Sequence, residues 1–85
     1  RMFRYTVPVD DRPHEISLCA DPVAVAAAGD ESVEFWAEHT DGPHGQLRYF
    51  QVFGTGHPLP KHARWVGTCP RTKWGLVWHL YELVF

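Results

Sequence analysis

The sequence predicts an all-β fold, a small antiparallel sandwich or partly open barrel of about seven short strands. Three observations carry that expectation. Apolar and polar residues alternate with a period of two along most of the chain. The breaks between alternating runs are rich in Pro, Gly and Asp, which make turns. The runs are closely spaced, as in a compact antiparallel sandwich or partly open barrel. With 85 residues the chain has room for one domain, spanning 1–85.

The first strand comes from Phe3, Tyr5, Val7 and Val9, which alternate with Arg4, Thr6 and Pro8. Pro8 to Pro13 supplies turn chemistry, because Pro fixes φ while Asp10 and Asp11 can bond their own backbone. Ile16 and Leu18 continue the alternation, so Met2 to Leu18 reads as a hairpin. The segment Asp21 to Gly29 is ambiguous. An Asp N-cap, a Pro at the first helical position and an Ala-rich body spell a short helix. Two turns are marginal without packing, and Val23, Val25 and Ala27 also alternate as a strand would. The turn Gly29 to Ser32 leads into Val33, Phe35 and Ala37, with Glu34, Trp36 and Glu38 on the other side. A hairpin explains both segments, and strand is the expectation for the first.

Asp41 to Gly45 reads as a loop. Leu47 to Phe53 follows as a strand with apolar residues on both sides, which predicts a central strand or a barrel wall covered on both faces. Gly54 to Ala63 cannot stay regular, because Pro58 and Pro60 remove two donors within three residues. Trp65 to Cys69 is a short strand, Pro70 to Lys73 a turn, and Gly75 to Val84 the last strand. Trp36 and Trp78 are expected in the core.

Composition narrows the function classes. Hydrophobic residues make up 45% and charged residues 21%, near globular averages, which argues against disorder. No apolar run approaches the roughly 18 residues of a membrane span, and no leader pattern is visible, so no membrane partner is expected. The net charge of -2 lacks the basic excess of nucleic-acid binders. Lys61, Arg64, Arg71 and Lys73 form only a mild basic region beside Trp65 and Trp74, keeping a small nucleic-acid-binding barrel as a minor alternative. Two cysteines, Cys19 and Cys69, are too few for a disulfide framework. They read as reduced, buried small hydrophobes in a reducing cytoplasm, with a single bridge between them left open.

Chemistry-bearing constellations are weak. His39 and His44 are five apart, as are His57 and His62, and neither pair matches a zinc spacing. The cysteines stand alone in sequence. No metal and no cofactor are expected. Ser17 and Ser32 lie in no nucleophile elbow. Cys69 could meet His57 or His79 in space, but packing explains it better. Asp10 and Asp11 are explained by their turn. Gly54-Thr55-Gly56 lacks the Gly-Lys-Ser/Thr end of a phosphate loop. No enzyme is expected. The more informative segment is the loop containing His57, Pro58, Leu59 and Pro60, stiffened by its prolines and followed by Trp65. A stiff loop loses less entropy when it meets a partner, and Trp is enriched in binding hot spots. These five residues are the candidate binding site.

Several strings extend this picture. Pro8-Val9-Asp10-Asp11, Pro13-His14 and Ile16 open the series, followed by Phe35-Trp36-Ala37 and Gly54-Thr55-Gly56-His57-Pro58-Leu59-Pro60. Ala63, Val66-Gly67-Thr68 and Gly75-Leu76-Val77-Trp78-His79-Leu80-Tyr81-Glu82 complete it. Together they resemble a family of small uncharacterised proteins encoded by phages of actinobacteria, over nearly the whole chain. Ala20-Asp21-Pro22 departs from the Pro-Ala-Gly type of turn associated with that family. The resemblance implies an origin rather than a reaction, so no catalytic residue is carried over. It implies an accessory protein that binds and modulates a host protein in the host cytoplasm. The alternative is a minor virion component, a decoration or tail-associated subunit that self-associates through edge strands near Met2 or Phe85.

Overall fold

Seven antiparallel strands form two facing sheets in the computed structural model, which describes residues 1–42, 45–73 and 75–84. They are β1 (Met2–Pro8), β2 (His14–Leu18), β3 (Ala24–Ala27), β4 (Ser32–Glu38), β5 (Gln46–Gly54), β6 (Ala63–Thr68) and β7 (Trp78–Leu83). One sheet has the order β1-β4-β3 and the other β2-β5-β7-β6. The two sheets do not close on each other, so the architecture is a sandwich and not a barrel. Among the described residues no helix is long and apolar enough to cross a membrane.

The period-two pattern sorts the faces as expected. Val7, Val33, Phe35 and Ala37 of one sheet meet Leu18, Phe50, Val52 and Leu80 of the other, all buried. Phe35 and Phe50 bridge the layers with ring centroids 5.0 Å apart, and Tyr5 stacks on Phe35 at 5.1 Å. Residues 21–29 contain a strand, and β3 and β4 form the expected hairpin, with Ala24 opposite Trp36 and Ala27 opposite Val33. Trp36 lies on the opposite face of β4 from Phe35 and is half-buried, outside the core cluster. Trp78 is half-buried and packs against the core.

The expected hairpin from Met2 to Leu18 does not form. β1 pairs with β4 and β2 pairs with β5, in different sheets. Alternation dictates which face a residue takes, but it does not choose the neighbouring strand. The turn itself redirects the chain. Asp11 adopts φ 60°, and the Asp10 carboxylate accepts hydrogen bonds from Arg12 N–H at 3.1 Å and from His14 Nε2 at 2.8–3.0 Å. His14 holds the Asp10 carboxyl below the usual carboxylate range. This Asx turn carries the strand from one layer to the other.

β5 is interior to its sheet, as expected, but its outer face is covered only in part. Phe53 is buried there while Leu47 is 61% exposed. The final strand is shorter than expected, because Gly75 to Val77 precede β7 outside any strand. Cys19 and Cys69 are both free thiols, half-buried and buried respectively.

Candidate functional site

The outer face of the four-stranded sheet carries the features singled out in the sequence. β5 and β6 both run antiparallel to β7, which lies between them, so they are parallel to each other. The chain leaving β5 at Gly54, opposite Trp78, must therefore return to Ala63, opposite Leu83. Residues 55–62 make that return as a strap across the outer face. Its first half encloses a small cavity of about 160 Å³ with Phe53, His79 and Tyr81. Its second half, with Pro60 and His62, borders an apolar hollow of about 300 Å³ beside Gln51 and Leu83. The strap accounts for the burial of Phe53 and Leu83 on a face that would otherwise meet water.

Local chemistry fixes the strap at both ends. Gly56 takes φ 87°, a left-handed turn conformation that glycine adopts without strain. The Gly54 N–H donates to His57 Nδ1 at 3.3 Å, and a Cβ on Gly54 would stand 3.0 Å from His57 Cε1. The far end is tied by Ala63 N–H to Pro60 O at 3.1 Å and by Val84 N–H to His62 O at 3.2 Å.

Each expected site residue thus has a place. His57 folds back over Gly54. Pro58, Leu59 and Pro60 are exposed along the strap, with Leu59 47% exposed. Trp65 lies on β6, opposite Tyr81, and is 60% exposed. Its indole is oriented: Nε1–H donates to Thr68 Oγ1 at 3.0 Å, Thr68 Oγ1 bonds His79 Nδ1 at 2.9 Å, and His79 Nε2 bonds Thr55 Oγ1 at 2.8 Å. This hydrogen-bond chain ties the Trp65 ring through β7 to the start of the strap. Phe53 and Tyr81 meet edge to face at 5.6 Å beneath it. Trp74, His44 and Phe85, which the sequence also singles out, lie outside the described residues.

Sequence reasoning missed a second cluster on the inner face. Glu82 is only 6% exposed and accepts three hydrogen bonds, two from Arg48 (Nε and Nη2, both 2.7 Å) and one from Arg64 Nη2 at 2.6 Å. Arg48 also pairs with Asp21 at 2.9 Å. The bidentate Arg48 fork lowers the Glu82 carboxyl to about 2 despite its burial, with Arg64 adding to the effect. Two cations and two carboxylates make the cluster neutral, and its charges are spent on one another. Its members are 34 and 18 residues apart, so no local spacing announces it. The signal in the sequence is a lone Glu at an inward position of an otherwise apolar strand.

Cys69 has not met a histidine as a hydrogen-bond partner among the described residues. Its burial pushes the thiol up from its ordinary value. Among the described residues no group of three or more His, Cys, Asp or Glu is arranged to hold a metal ion. A family model described as a domain of unknown function (DUF7352) matches residues 1–84. No curated protein matches the chain, and no solved structure does.

Proposed function

The chain belongs to the DUF7352 family, and from that premise we propose that it is a non-enzymatic, phage-encoded accessory protein. It binds a host protein in the host cytoplasm and modulates it by occlusion. One observation carries this reading: Leu59 and Trp65, both strongly exposed, border Tyr81 on the same outer face and are held there by fixed backbone and hydrogen bonds. Preorganised apolar anchors bind with little ordering cost, and large apolar side chains within a polar rim are the usual composition of a recognition patch. His57, Pro58 and Pro60 act in it by fixing the strap.

The test is affinity capture with the tagged protein from an actinobacterial host lysate, run beside a Leu59→Ala, Trp65→Ala double variant. One dominant host protein retained by the native protein and lost by a variant with unchanged thermal unfolding supports the reading. Equal capture by both proteins sinks it. The virion alternative draws on the outer edge of β1, where Met2 and Phe3 are exposed on an edge strand. Finding the protein by mass spectrometry in purified particles would replace the first reading with that one.

A further inference from the structure

At one end of the sandwich a thiol meets an imidazole twenty residues away in sequence. Cys19 follows β2, while His39 and Asp41 follow β4. Cys19 Sγ lies 3.7 Å from His39 Nδ1 and 3.6 Å from the carbonyl oxygen of Thr40. The other ring nitrogen, Nε2, stands 3.8 Å from Asp41 Oδ1. The imidazole is held in place: Phe3 stacks on it with centroids 4.4 Å apart and planes 11° from parallel, and the His39 N–H donates to Arg1 O at 2.7 Å. Burial, and after it the charge of Cys19, push the Tyr5 hydroxyl up from its ordinary value. Thiol and imidazole thus stand as nucleophile and base, the ring held by the Phe3 stack, with the exposed Asp41 carboxylate beyond hydrogen-bond distance of its second nitrogen.

We propose that Cys19 is a stoichiometric thiol-exchange site for low-molecular-weight disulfides, with His39 as its base. His39 Nδ1 takes the Sγ proton, and the thiolate attacks one sulfur of the disulfide. The new bond joins Cys19 Sγ to that sulfur. The old S–S bond breaks and its electron pair leaves on the second sulfur, which takes up the proton as a free thiol. Cys19 is oxidised to a mixed disulfide and the leaving sulfur is reduced, so the step balances with the disulfide as the only co-reactant. The site is separate from the strap on the outer face and stands whether or not that face binds a protein. Cys69 is an internal control, because it is 1% exposed and burial disfavours its thiolate.

The experiment follows release of thionitrobenzoate when the native protein meets the aromatic disulfide dithionitrobenzoate near neutral pH. The expected result is one rapidly reacting thiol, removed by Cys19→Ser and kept by Cys69→Ser. His39→Ala should slow that reaction about tenfold or more, and added imidazole should restore much of the rate, which a purely structural role for His39 would not permit. His39→Gln, which keeps a planar group against Phe3, provides the same comparison if the alanine variant unfolds. A rapid phase that survives Cys19→Ser, or a His39 variant reacting as fast as the native protein, overturns the proposal.

Discussion

The two faces of the four-stranded sheet are built by alternate residues of the same strands, yet they are organised by opposite rules. Along β7, Trp78, Leu80 and Glu82 point inward while His79 and Tyr81 point outward. On the inner face the charges described above meet one another: Glu82 accepts from Arg48 and Arg64, and Arg48 also pairs with Asp21. On the outer face the hydrogen bonds run from Thr55 through His79 and Thr68 to Trp65, and they end on an exposed indole. The lesson is that polar networks serve different ends according to where they terminate. One that closes on itself ties together the strands it joins, here β5, β7 and β6, and one that ends on an exposed ring positions a surface. Substitutions on the inner face should therefore move stability, and those on the outer face should move binding.

The largest effect is expected at Glu82. Glu82→Ala leaves Arg48 half-enclosed without its principal partner, which costs about 3–5 kcal/mol. A domain of this size has only about 5–10 kcal/mol in all, so urea unfolding should show a variant close to its limit. Replacing the pair together, Arg48→Met with Glu82→Leu, should recover most of the loss. The same residue gives a pH dependence. Its carboxyl falls from an ordinary 4.5 to about 2 in the folded protein, so the stabilisation is fully present above pH 4.5. It is lost as pH falls through the interval from 4.5 to about 2, about 3 kcal/mol in all. Urea midpoints measured across that interval should fall steeply in the native protein and less steeply in Glu82→Gln.

An intermediate effect is expected where β3 meets β6 across the two layers. A Cβ on Gly67 would sit 2.6 Å from Val25 Cγ2 and 2.9 Å from Val25 Cβ, so β3 packs directly on the bulged backbone of β6. Gly67→Ala should cost about 1–3 kcal/mol through overpacking. Val25→Ala removes Cγ2 but keeps Cβ, which stands 2.9 Å away, so it relieves the overpacking only in part: Gly67→Ala should cost less in the Val25→Ala background than in the native protein. Strictly additive losses in a double-mutant cycle would show that the layers are not in rigid contact there.

What was legible in the sequence follows from the range over which each signal acts. The strands, the β3–β4 hairpin and the inward set Val33, Phe35 and Ala37 are visible because period two and turn chemistry are local. The stiff loop from His57 to Pro60 is visible for the same reason, since proline restricts its own φ wherever it sits. The pairing of β1 with β4 was not legible, because an alternating strand fits any partner of matching pattern. Nor were Glu82 with Arg48 and Cys19 with His39, which are assembled across 34 and 20 residues. Both depend on which strand ends the topology brings together, and neither leaves a spacing to read.

The smallest stability effects, and the sharpest test of the contrast, belong to the outer face. Leu59→Ala and Trp65→Ala remove side chains that already meet water, so each should change unfolding free energy by less than about 0.5 kcal/mol. His57→Ala also removes the acceptor of the Gly54 N–H, and its cost should reach about 0.5–1 kcal/mol. Thr68→Val separates area from orientation: it keeps the Trp65 ring and the volume of residue 68 but deletes both the acceptor for the indole N–H and the bond to His79. If the face works through apolar area alone, Thr68→Val should bind the captured partner as the native protein does. If the fixed orientation of Trp65 matters, calorimetric titration should place its affinity between that of the native protein and Trp65→Ala, with thermal unfolding hardly moved. The second outcome is expected, because an exposed indole free to rotate would have to be immobilised on binding at a cost of about 0.5–1.5 kcal/mol.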